Sequence, residues 1–153
     1  MSVNQYLQPL FIGLVMTIGI YGNPASAAEN DNSPAAIRHV LMEMFDQPEQ
    51  RLTVAPVVIK GDIALAGWAQ GETGGRALLR QQKGQWHIVL CGGDSIREAK
   101  ALQQFGLTVD QAEEMAKSIV NAEAKLDPAL VQKFSLFDGV MVMNDDGSHP
   151  PVH

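Results

Sequence analysis

The chain has 153 residues, with 17 acidic and 11 basic side chains, a formal net charge of −6 and a single cysteine, Cys91. That length suits one hydrophobic core. The acidic balance argues against nucleic acid or an anionic membrane surface as partner, since both require a positive footprint, and one cysteine excludes an intramolecular disulfide.

Leu7 to Tyr21 is an apolar run, followed by the helix-breaking Gly22-Asn23-Pro24 and by Ala25-Ser26-Ala27. The run is short for a membrane span, which needs about 20 residues. Small residues before Ala28 form a signal-peptidase site, so residues 1–27 read as a signal peptide and the remainder as a periplasmic or secreted chain. No Lys or Arg precedes the run, and the first charged residue is Glu29. No transmembrane segment is expected after cleavage. Residues 28–144 read as one α+β domain and 145–153 as a polar, proline-containing tail expected to be disordered.

Ser33-Pro34 offers a capping hydroxyl followed by proline at the first helical position. Ile37, Leu41, Met44 and Phe45 then form an apolar stripe at helical spacing, and the helix stops before Gln47-Pro48. Four strands are expected at Leu52–Ile59, Ile63–Gln70, Gly75–Gln82 and Gln85–Cys91. Lys60-Gly61 and Lys83-Gly84 read as tight hairpin turns and residues 71–74 as a looser one. Such short joints require antiparallel neighbours. On the fourth strand, alternation places Trp86, Ile88 and Leu90 on one face and His87, Val89 and Cys91 on the other.

Ser95–Glu98 and Thr108–Gln111 both read as capping boxes opening helices. The first helix is expected to end near Gly106 and the second near Leu126, with Val109, Ala112, Met115, Ala116, Ile119 and Val120 buried. Asp127-Pro128 restarts a short helix, and Gly139–Asn144 reads as a last strand. The fold class is therefore α+β: an antiparallel meander with an N-terminal helix and C-terminal helices packed on it. A cystatin-like or NTF2-like cone is an analogous architecture.

Three segments carry a family resemblance: Lys60 to Trp68 (KGDIALAGW), Gly74 to Arg80 (GGRALLR) and Gly84 to Asp94 (GQWHIVLCGGD). With the closing Phe134 to Gly139 (FSLFDG), the chain resembles the small exported bacterial proteins called copper uptake system-associated proteins. The resemblance spans most of the chain after the leader, and Cys91-Gly92-Gly93-Asp94 is its most specific piece. It implies a non-enzymatic accessory of copper uptake in the cell envelope, alongside a copper transporter or receptor there. It carries over no ligand residues.

Copper chemistry is a test of the side chains, because Cu(I) prefers thiolate and thioether while Cu(II) prefers imidazole and carboxylate. The candidate metal residues are Cys91, Met141, Met143 and His87. Met141 and Met143 alternate on a strand and share a face. His87 and Cys91 are about 13 Å apart along an extended strand, so joint ligation needs a bend. The competing reading of each is core filling, since methionine and free cysteine both behave as hydrophobes. Cys91 also precedes a helix start, where a thiol can acquire a lowered pKa. His39 and Glu43 stand one helical turn apart, and His149 and His153 lie in the tail. Met42 and Met44 diverge around their helix and cannot share an ion. The alternative function is a small-ligand-binding or enzymatic cone using His87, Asp62, Arg76 and Asp94 around a pocket. A third reading is a structural partner of an envelope membrane protein.

Overall fold

The structure is a computed structural model and describes residues 31–144. The expected signal peptide and C-terminal tail lie outside the described residues. Helix α1 runs Pro34–Phe45, with the Ser33 hydroxyl accepting from the Ala36 amide at 3.2 Å. Strands β1 (Leu52–Lys60), β2 (Ile63–Gln70), β3 (Thr73–Gln82) and β4 (Gln85–Gly92) follow. Helices α2 (Ala99–Gln104), α3 (Val109–Glu123) and α4 (Pro128–Phe134) precede the short strand β5 (Val140–Val142). The sheet is antiparallel with order β1-β2-β3-β4-β5, and the fold is α+β. Among the described residues, no helix is long and apolar enough to cross a membrane.

The loose turn expected at 71–74 is instead tight. Gln70 pairs with Thr73, and Gly71 takes a φ of +58°, a left-handed conformation that glycine adopts without a Cβ clash. At the β1 edge the register shifts between Val54 and Val57, where Pro56 has no N–H to offer a ladder.

The sheet is covered on both faces. On one, α1 places Ile37 and Leu41 against Leu52, Val54, Ala64, Ala66, Ala77 and Leu79. On the other, α2 and α3 bring Leu102, Met115 and Ile119 onto Ile63, Leu65, Leu78 and Leu90. Met44, expected on the buried stripe of α1, is exposed, while Ile37 and Leu41 are fully buried and Val40 and Phe45 pack against the same cluster.

Strand β4 departs from simple alternation. Leu78 pairs with Leu90 and Leu79 with Ile88, leaving Val89 as an extra residue. A bulge of this kind reverses the in–out phase for every later residue. Cys91 therefore joins Trp86 and Ile88 on the α1 face while Leu90 moves to the opposite face. The expected grouping of His87, Val89 and Cys91 is overturned.

Two helical expectations are also corrected. Ser95 opens no capping box: Asp94–Arg97 is a 3₁₀ turn, and α2 begins at Ala99 without a side-chain cap. On α3 the Thr108–Gln111 box is present. Its inward stripe, however, is Ala112, Met115, Ile119 and Glu123, whereas Val109 and Val120 are exposed. The stripe continues one turn further than apolarity suggests, because Glu123 finds a buried cation.

Candidate functional site

The candidate site is a cavity of about 140 Å³ on the α1 face of the sheet. Phe45 at the end of α1, Leu52 of β1 and Trp68 and Gln70 of β2 form part of its wall. Cys91 of β4, Phe137 after α4, and Met141 and Met143 of the β5 segment complete it. Local sequence explains this assembly. Gly75 lies opposite Trp68 in the ladder, and a Cβ there would come within 2.9 Å of the Trp68 ring and 3.0 Å of Phe137. Its absence lets both aromatic rings settle over the strand, where they meet edge to face with centroids 5.9 Å apart. The Gln70 amide donates to the Phe45 and Gln50 carbonyls at 2.7 and 2.8 Å, tying the end of α1 to β2.

Cys91 and Met141 are ladder partners, and the Met143 amide donates to the Val89 carbonyl at 2.9 Å. The β4 bulge and the β5 pairing thus bring one thiol and two thioethers to the same cavity. Among the described residues, its lining includes no carboxylate, imidazole or ammonium group. Burial in these apolar surroundings pushes the Cys91 thiol up to about 11. A helix start does not acidify the thiol, because only a four-residue 3₁₀ turn follows Gly93 and desolvation dominates. The thiol is protonated at neutral pH and is a poor nucleophile.

His87, the fourth candidate, does not join this set. It is exposed and borders a separate groove with Asp31, His39 and Trp86. His39 pairs with Glu43 at 3.6 Å on an exposed helix face. Among the described residues, no three His, Cys, Asp or Glu side chains form a metal-holding group. The sulfur set is of a different kind, with two methionines beside one cysteine.

The four polar groups of the enzymatic alternative are divided between the two ends of the sheet. Asp62 lies in the β1–β2 turn and His87 pairs with Arg80, four residues along β3 from Arg76. Arg76 and Asp94 do meet, on the face opposite the cavity. The fully buried Arg76 guanidinium donates twice to Glu123, from Nε at 2.6 Å and from Nη2 at 2.8 Å. It also donates to Asp94 at 3.2 Å and to the Phe134 carbonyl at 3.3 Å, and lies 5.5 Å from the Phe134 ring centroid. Arg97 adds a second cation to Glu123 at 3.4 Å. Burial alone would raise Asp94, but the Ser135 hydroxyl, Arg97 and Arg76 together hold its carboxyl below the usual range. This network joins β3, α3, α4 and the 3₁₀ turn. Its donors are matched by acceptors, and it acts as an internal clamp.

Comparison of the chain with protein-family models, with curated proteins and with solved structures finds no match.

Sequence reasoning singled out Cys91, Met141 and Met143 but not the aromatic wall. Trp68 and Phe137 are far apart in the chain, and nothing in their local pattern links them. Gly75 was the available signal: a glycine inside a strand marks a close approach. Glu123 falls four residues after Ile119 on the α3 stripe, but its burial depends on the distant Arg76, which no local pattern supplies.

Proposed function

We propose that the protein is an exported, non-enzymatic accessory of bacterial copper uptake that holds Cu(I) through Cys91, Met141 and Met143. The observation that carries this reading is the convergence of three sulfur-bearing side chains on one cavity with an uncharged lining. Soft sulfur donors select Cu(I), whereas Cu(II) favours the imidazole and carboxylate groups that stand elsewhere. The likeness to copper uptake system-associated proteins, and the leader in the sequence, support the same setting and an envelope transporter or receptor as partner.

Cu(I) would displace the thiol proton of Cys91, so capture is proton-coupled and weakens as pH falls. Met141 and Met143 are neutral donors and add no proton cost. Anaerobic Cu(I) titration of the purified protein against a colourimetric chelator tests the reading. Sub-micromolar binding of one equivalent, lost in Cys91→Ser and weakened in Met141→Leu and Met143→Leu, is the expected result. Chelator retention of all the copper with folded wild-type protein would refute it.

A further inference from the structure

The cavity wall is built from two parts that the fold holds with unequal strength. Cys91 sits in β4, inside the sheet, whereas Met141 and Met143 enter from the β5 segment. Strand β5 pairs with β4 over three residues, against eight for the β2–β3 ladder, and packs chiefly on β4. Its outward side chains face solvent, with Val140 39 % and Val142 54 % exposed. Segments with few buried apolar contacts open at lower free energy than the strands of a core. Upstream, Phe137 is fixed, its ring edge to face with Trp68 and its carbonyl against Gly93. Two residues later Gly139 is exposed and takes a φ of +71°, and a Cβ there would meet nothing within 4 Å. Backbone rotation at that glycine therefore meets no steric wall. Downstream, the Met143 amide closes the segment over the β4 bulge by donating to the Val89 carbonyl.

We propose that residues 139–143 form a strap that swings open about Gly139 while the rest of the sheet stays folded, uncovering Cys91 and parting it from Met141 and Met143. Closed, the strap completes the cavity wall and leaves Cys91 6 % exposed. Opening gives up three ladder pairs and the packing of two methionines, while the helices keep their places on both faces of the sheet. The anchor at Phe137 holds, so the aromatic side of the cavity remains and the thioether side leaves. The three sulfur atoms are thus together only in the closed form, and a soft cation held by all three would enter and leave with the strap. The motion itself requires no metal and stands apart from the copper reading.

The test is native-state hydrogen exchange on the purified full-length protein in chelator-treated, copper-free buffer, with urea raised in steps below the unfolding transition. Alkylation of Cys91 by iodoacetamide at pH 8 is followed in parallel. The Met143 amide should exchange at least about tenfold faster than the slowest amides of β2 and β3, at a rate that urea leaves nearly unchanged. The slow alkylation of Cys91 should share that flat urea dependence. Ala112→Gly, a change inside α3 on the face opposite the cavity, should speed the slowest β2 and β3 amides about fivefold and leave Met143 and Cys91 within about twofold. An equal rate and an equal urea slope at Met143 and in β2–β3 would overturn the strap, since exchange would then require global unfolding. Alkylation of Cys91 that follows the β2–β3 amides would overturn the uncovering of the thiol. Neither readout involves copper, so failure of the Cu(I) titration leaves both standing.

Discussion

Met141 faces Cys91 across the β4–β5 ladder, and both side chains enter one cavity because Val89 is an extra residue in β4. Without that bulge, Cys91 would turn towards α2 and α3 and leave the methionines with no thiol. Met141→Leu conserves volume and should cost less than about 1.5 kcal/mol of stability. Cu(I) affinity should fall about tenfold or more in the same variant, a loss of one sulfur donor. Denaturant titration and chelator competition measure the two effects separately.

The Cys91 thiol makes stability depend on alkaline pH. Its proton is held in the folded chain to about pH 11 but is released near 9.0 when the thiol is free. The stabilisation is therefore complete below pH 9 and is lost as pH rises towards 11. Its size is about 2–3 kcal/mol. Urea unfolding between pH 8 and 11 should show this decline in the wild type and not in Cys91→Ala. Alkylation by iodoacetamide at pH 8 should be slow until the protein unfolds.

Arg76 and Glu123 are buried together, so removing one strands the other. Arg76→Met and Glu123→Gln should each destabilise by about 3–5 kcal/mol. The double replacement Arg76→Met with Glu123→Gln should be less damaging than the sum of the two single changes, because no unpaired charge remains. A double-mutant cycle by chemical denaturation reads the coupling directly.

Asp94 produces the acid counterpart. Its carboxyl is held below the usual range, so its contribution is present above the ordinary value of 3.8 and disappears as pH falls through the lower folded value. Asp94→Asn should flatten the acid limb of the stability profile while changing the alkaline limb little. The group is half exposed, and solvent screening keeps the effect small.

Gly67 is a packing requirement. A Cβ there would lie 2.6 Å from the Ala55 carbonyl oxygen and 2.8 Å from the Phe134 ring. Gly67→Ala should cost about 1–3 kcal/mol through overpacking. Because Phe134 also supplies a carbonyl to Arg76, the variant should open α4 first, visible as faster amide exchange from 128 to 134 than elsewhere.

Much of the fold was legible along the chain. Ser33-Pro34, Thr108–Gln111 and Asp127-Pro128 are local stereochemical signals, and the structure uses all three to begin helices. The glycine turns at Gly61 and Gly84 likewise leave only antiparallel pairing open to β1–β4. Ser95 misled because a capping box needs a helix to cap, and Gly92 and Gly93 instead lie against Ile96 and Phe137.

Local residue chemistry determined the helices, the hairpins and therefore the α+β class, because capping, turn geometry and hydrophobic period act over a few residues. Tertiary structure alone decided which face Cys91 occupies, that Phe45, Trp68 and Phe137 enclose a cavity, and that Glu123 is buried. One bulged residue inverts the alternation beyond it, and a buried carboxylate is acceptable only where a distant arginine meets it. Neither condition is written in the neighbours of the residue concerned.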